Sequence, residues 1–288
     1  MLCADAMLNN FSVLFLGDSR MRHVLAAAVG RNCTGSLCHD AQALSHLPPA
    51  YPHTTFFEGF FPEALTEIGV LRFGYVIHPG VSPEPPYHLG LRIRSSIELM
   101  LEAYSSFNAV VPQVQPAWVV LSSYAWDMAR RFTYFPDMSE EAWLMQYKSN
   151  FSKVASILSR ATSGHLMLVA DYGCRRQSSA DGLWNASHWT ESQRQHYCTG
   201  ELYKGYPREK HTADIVVSIG KQMGLPTVNL QEQLRDSLKS SLLSEGYYLH
   251  PTKETSLVIF RIILKAITVQ SNHTIQNKHL RTAVKLKG

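Results

Sequence analysis

The sequence predicts an α/β protein: a mostly parallel, five-stranded sheet covered by helices on both faces. Three observations predict it. Short apolar runs alternate with amphipathic stretches long enough to be helices, the order that parallel strands joined by crossover helices require. The first run, Val13-Leu14-Phe15-Leu16, is apolar at consecutive positions, as expected of a strand buried on both faces. A chain of 288 residues, 45% hydrophobic and 17% charged, also has enough apolar surface to bury a sizeable core, which excludes disorder as a whole-chain description.

The elements follow in order. Ser12 to Ser19 holds the first strand, ending at Gly17, and Arg20 to Val29 is a short Ala-rich helix. Residues 31–69, turn-rich and aromatic (Tyr51, Phe56, Phe57, Phe60, Phe61), read as an irregular excursion with a little helix. Val70 to Ile77 is the second strand, and His78 to Gly90, with four prolines, is a loop. Leu91 to Phe107 is helical in pattern and Trp118 to Tyr124 is the third strand. Ser139, with Glu140 and Glu141 behind it, opens a long helix to about Arg160. His165 to Ala170 is the fourth strand and Asp171 to Pro207 a long loop. Arg208 to Met223 is a helix stopped by Gly224, Thr227 to Leu230 a short fifth strand, Gln231 to Leu243 a helix, and Pro251 to Ile267 the closing helix. The organisation is an N-terminal arm (1–11), one domain (12–268) and a flexible basic tail (269–288) carrying Lys278, Arg281, Lys285 and Lys287.

Formal net charge is +4, with no Lys/Arg-rich face, which argues against a nucleic-acid binder. The longest apolar stretch, Leu257 to Ile267, is broken by Arg261 and Lys265 and is too short to span a bilayer. No signal peptide is evident at the N-terminus. Asn-X-Ser/Thr nevertheless occurs at Asn10, Asn32, Asn150, Asn185 and Asn272, where nine Asn would give about one by chance. Glycosylation would need a secretory compartment and exposed loops at those sites. The expectation is the Golgi lumen or secretion, with the targeting segment absent from this chain. Five cysteines (Cys3, Cys33, Cys38, Cys174, Cys198) leave one unpaired if disulfides form; Cys33 with Cys38 and Cys174 with Cys198 would close local loops. No Cys-X-X-Cys pair or His spacing suggests a metal, and none is expected.

Gly17-Asp18-Ser19 stands where the first strand hands over to the first helix. A serine there presents its hydroxyl at the carboxyl edge of the sheet, beside free helix N–H groups that favour a developing oxyanion. Near the other end, His250-Pro251 precedes the last helix, where an imidazole can take the Ser19 proton and return it to a leaving group.

Gly-Asp-Ser near the start and Gly-X-X-Leu-His-Pro near the end resemble the SGNH (GDSL) hydrolase superfamily. Phe15-Leu16-Gly17-Asp18-Ser19-Arg20-Met21-Arg22 resembles its PC-esterase branch, and most of all the luminal catalytic domain of sialate O-acetyltransferases. Further likenesses are His78-Pro79, Trp126, Glu141-Ala142, Gln146-Tyr147-Lys148, Asn150 and Glu254-Thr255. The resemblance covers roughly residues 12–268. It implies a three-layer, flavodoxin-like α/β/α domain that moves an acyl group, usually acetyl, through a serine ester. Ser19 would be nucleophile and oxyanion donor, and His250 the base. Arg22, Gly80, Ser123 and Trp126 would serve the oxyanion or the substrate.

Two positions depart from the family pattern. The acid three residues before the His is replaced by Tyr247, leaving Glu245 as the nearest carboxylate on that side; losing the orienting acid of a triad costs about 10⁴ in rate. The Gly-X-Asn-Asp block is replaced by Ser122-Ser123-Tyr124-Ala125-Trp126-Asp127, with Ser123 the substitute donor and Asp127 a loop cap. Loss of one oxyanion donor is worth about 2.7–4 kcal/mol. His78, Tyr87, His88, Trp184, His188, Trp189 and Tyr197 supply a rim of aromatic and polar groups suited to a sugar ring. The expected activity is glycan O-acetyl transfer or O-acetyl ester hydrolysis. The acceptor would be a glycan or other hydroxyl-bearing molecule, with no nucleic acid involved. No cofactor is expected beyond an acyl donor such as acetyl-CoA in the transferase case, which a membrane-embedded partner would handle. The transferase relatives carry a multi-span membrane part after this domain, and its absence here shifts the expectation toward an esterase. The alternative is a non-catalytic glycan-binding or interaction module on the same fold.

Overall fold

Residues 12–17 form β1 (Ser12–Gly17), buried at every position because it lies in the middle of the sheet. The other elements are α1 (Ser19–Ala28), β2 (Thr54–Gly59), β3 (Leu71–Ile77), α2 (Ser96–Val110), β4 (Trp118–Ser122), α3 (Glu140–Ala161), β5 (Leu166–Ala170), α4 (Pro207–Met223), β6 (Thr227–Asn229), the single turn α5 (Leu230–Gln233) and α6 (Lys253–Lys285). They are taken from a computed structural model, which describes residues 12–28, 54–59, 71–77, 80–81, 96–110, 117–123, 127, 137–171, 207–234 and 253–285. Strand order is β2-β3-β1-β4-β5-β6. The run from β3 to β6 is parallel, and β2 pairs antiparallel with β3 at the edge.

Side chains alternate across each strand, so two cores form. Leu14, Leu16, Val119, Leu121, Leu166 and Leu168 meet α2, α3 and α4 on one face. Val13, Phe15, Trp118, Val120, Met167 and Val169 meet α1 and α6 on the other. This is the three-layer α/β/α architecture. On α3, Trp143, Tyr147, Phe151, Val154 and Leu158 recur at helical spacing and form one buried stripe. Its start is set by Ser139, whose side chain accepts from Ala142 N at 3.2 Å, with Glu140 and Glu141 complementing the positive end of the helix dipole. On α6, Ile259, Phe260, Ile263, Leu264 and Ile267 are buried, with the Phe260 ring 6.2 Å from that of Phe15. Each such side chain contributes about 1.5–3 kcal/mol by leaving water.

The five parallel strands stand where the sequence predicts them, and two differences emerge. The irregular excursion contains a sixth strand, β2, built on the strand-forming run Thr54-Thr55-Phe56-Phe57. The last helix passes the predicted end at Ile267 and continues to Lys285, so the backbone of most of the basic tail is helical. Asn150 lies inside α3 and Asn272 inside α6, so these two acceptor sequences are not in the exposed loops that glycosylation would need. Asn10, Asn32, Asn185 and all five cysteines lie outside the described residues. Among those described, no helix is long and apolar enough to cross a membrane.

Candidate active site

From β1 the chain goes to β3 on one side and later crosses to β4 on the other, so the strand order reverses between β1 and β4. Open parallel sheets bind ligands outside the carboxyl ends of the strands at this reversal. Gly17 is in register with Ile77, Leu16 with Leu121, and Ser122 with Val169. The residues just past these positions therefore share one edge: Asp18 and Ser19 after β1, Gly80 and Val81 after β3, Ser123 and Asp127 after β4, and Asp171 after β5.

Gly17 permits the sharp passage from β1 into α1. A Cβ at this position would stand 2.5 Å from Met21 Cβ, so any side chain would push the helix off the strand. Asp18, 1% exposed, caps α1 by accepting from Arg20 N at 2.8 Å. Tyr75, on β3, places its hydroxyl 2.9 Å from Asp18 O and 3.2 Å from Gly17 O, sharing its proton between the two carbonyls. The backbone leading into Ser19, the first residue of α1, is thus held by a strand neighbour and by its own cap. Arg20 turns inward, and its guanidinium lies 3.3 Å from Asp171 Oδ2 with both side chains almost wholly buried.

A second polar group joins the exits of β3 and β4. Asp127 Oδ2 accepts from Ser123 Oγ at 2.6 Å and from Val81 N at 3.0 Å. Tyr147, on α3, donates its hydroxyl to Ser123 O at 2.6 Å. Gly80 has φ +101°, a conformation that favours glycine.

Asp18, Asp127 and Asp171 act together on Tyr147. Burial pushes its phenol well above the usual value, and the negative charges of Asp127, Asp171 and Asp18 push it further in the same direction. The folded protein then keeps the Tyr147 proton at a pH where the unfolded chain, with a phenol near 10, has lost it. Above about pH 10 the unfolded state binds fewer protons, so Tyr147 makes stability fall with rising pH, by about 1.4 kcal/mol per unit. Tyr147→Phe is expected to flatten this alkaline decline relative to the wild type. Denaturant unfolding between pH 9 and 11 checks it, and parallel curves for the two proteins would contradict it.

The described residues include only part of the predicted site. Ser19 and Arg22 are placed by backbone in α1, Ser19 at its first position and Arg22 in its first turn; their side chains lie outside the description. Gly80 and Ser123 come to the same edge as Ser19. Ser123, read from the sequence as an oxyanion donor, directs its single hydroxyl proton at Asp127 and is committed there. Asp127 is the loop cap expected, though it caps a different loop from its own. His78, Trp126, Trp184, Trp189, Glu245 and His250 lie outside the described residues. Sequence reasoning gave no site role to Arg20, Tyr75, Tyr147 or Asp171. The available signals were that Arg20 adjoins Ser19 and that Asp171 directly follows a strand, as Asp18 does. Among the described residues no His, Cys, Asp and Glu side chains group to hold a metal ion.

No protein-family model matches the sequence, and no curated protein matches it. Solved structures similar to this chain include the W215I variant of Axe2, an acetyl xylan esterase from Geobacillus stearothermophilus, at 15% identity and TM-score 0.46, covering 91% of this chain and 97% of that one. The acetyl xylan esterase AlAXEase is similar at 11% identity and TM-score 0.46, covering 89% and 99%. A putative GDSL-like lipase from Parabacteroides merdae ATCC 43184 is similar at 12% identity and TM-score 0.48, covering 90% and 96%.

Proposed function

We propose that this protein carries out acyl-ester chemistry on a glycan hydroxyl through a serine acyl-enzyme, as an O-acetylesterase or O-acetyltransferase of the SGNH kind. One observation carries the reading: Ser19 is the first residue of α1, directly past the carboxyl end of the central strand and at the strand-order reversal. A nucleophile there has the helix N-terminus beneath it and the ligand-binding crevice in front of it.

In this reading Ser19 Oγ attacks the ester carbonyl carbon while His250 takes its proton. The carbonyl oxygen becomes an oxyanion that accepts from the N–H groups of Ser19 and Gly80. The tetrahedral species collapses, the C–O bond to the sugar breaks, and His250 returns the proton to the departing oxygen. Water in hydrolysis, or a second hydroxyl in transfer, then attacks the acyl carbon and gives its proton to His250. The bond from the acyl carbon to Ser19 Oγ breaks, and His250 returns the proton to Ser19 Oγ as the acid or the new ester leaves. Glu245 orients the imidazole, Arg22 and Trp126 support the oxyanion or the substrate, and His78, Trp184 and Trp189 line the sugar rim. A transferase would draw acetyl from acetyl-CoA through a membrane-embedded partner in the secretory pathway.

A fluorophosphonate probe tests the reading. The folded wild type is expected to label, with the adduct mapped by peptide mass to Ser19. Release of acetate from acetylated sialosides, against transfer from a donor to free sialosides, then separates hydrolysis from transfer. A folded protein that takes no label assigns the fold to glycan binding instead.

A further inference from the structure

β3 and β4 flank β1, so the turns that follow them stand on either side of the Ser19 exit, two strand spacings or about 10 Å apart. One side chain closes that gap. Asp127, after β4, lays its carboxylate on the backbone after β3: Oδ2 accepts from Val81 N at 3.0 Å, and Oδ1 lies 2.6 Å from where a Cβ on residue 80 would be. Ser123 Oγ, donating to the same Oδ2 at 2.6 Å, steers the carboxylate into this contact. Tyr147 fixes Ser123 from below through the Ser123 carbonyl. Asp127 is 3% exposed, so bulk water does not compete for these bonds. Position 80 must be glycine for two reasons that coincide, its positive φ and the carboxylate seated on it.

We infer that Asp127 is a positioning residue: it clamps the Gly80–Val81 peptide across the exit of β1 and so holds the Gly80 wall of the Ser19 pocket at its working distance. This rests on the function proposed above for Ser19 and Gly80. Asp127 touches no reacting atom in this arrangement, and what it supplies is an acceptor rather than a titrating charge. An Asn, which keeps one carbonyl oxygen, is therefore a partial substitute.

The test pairs amide hydrogen exchange at Val81 with steady-state kinetics on a small acetyl ester, using the full chain. Asp127→Ala is expected to speed Val81 exchange at least tenfold and to lower kcat about 10²-fold, the scale of a misplaced oxyanion donor, with KM changed less than threefold. Asp127→Asn is expected to restore protection and to bring kcat within tenfold of wild type, with the same pH midpoint. Wild-type Val81 protection in Asp127→Ala overturns the clamp. Lost protection with unchanged kcat overturns its bearing on the site. An Asp127→Asn protein that is protected yet as slow as Asp127→Ala overturns the acceptor role in favour of a charge. If Asp127→Ala does not fold, Gly80→Ala opens the same contact from the other side and is expected to lose the same protection; retained protection overturns the inference. A wild type without turnover or probe labelling removes the proposed function, and the exchange pattern alone then decides the clamp.

Discussion

Ser19→Ala and His250→Ala are each expected to lower kcat/KM for a small acetyl ester by about 10⁴–10⁶-fold, and the double variant by hardly more than either. Nucleophile and base form one proton-transfer unit, so removing the second member of a broken pair costs little further. The Ser19 change is expected to leave the fold intact. The cap of α1 is made by Asp18 on Arg20 N, and the strand exit is held by Tyr75, neither of which uses the Ser19 hydroxyl. Unfolding curves for wild type and Ser19→Ala should therefore superimpose while turnover vanishes. Glu245→Gln separates the acid from the pair: a fall of about 10⁴ assigns it the orienting role, and a wild-type rate removes it from the mechanism. Additive losses for Ser19→Ala and His250→Ala would mean that the two side chains do not work on the same proton.

The central parallel strands β1, β4 and β5 were legible because each is buried on both faces, and burial of that kind requires consecutive apolar residues, as in Val13 to Leu16 or Val119 to Leu121. The start of α3 was legible because Ser139 satisfies an N–H that the helix itself cannot. β2 was not, because its place depends on the edge of β3 being open to an antiparallel partner, which is a property of the assembled sheet. The run of α6 beyond Ile267 was missed because the apolar period ends there, although no Gly or Pro follows to stop the helix before Lys285. Within the site, Ser19 and Gly80 belong to local patterns and could be read directly. Ser123 was legible as a polar residue at the right edge, but the destination of its proton is fixed by how Asp127 folds back. The pairing of the buried Arg20 with Asp171 was not legible, since charged residues default to the surface and the two positions are separated by most of the domain's sequence.

That pair carries the largest expected effect on stability. Arg20→Met is expected to cost about 3–5 kcal/mol, because it keeps the side-chain volume while leaving Asp171 a buried carboxylate without its cation. Both side chains are at most 5% exposed, so water cannot solvate the remaining charge. Asp18 and Asp127, buried on the same edge, add like-charge repulsion. Asp171→Asn leaves the guanidinium in the mirror-image position and is also expected to be destabilising. The Arg20→Met/Asp171→Asn double variant buries neither of the two charges and is expected to recover most of the loss, which makes the two substitutions strongly non-additive. Denaturant midpoints of the four proteins at neutral pH measure the coupling. Additive losses would show that each charge is compensated by other groups, and that the 3.3 Å approach of Arg20 to Asp171 contributes no net interaction. A large coupling would identify the strut between the first turn of α1 and the end of β5 that fixes where Ser19 stands relative to the rest of the crevice.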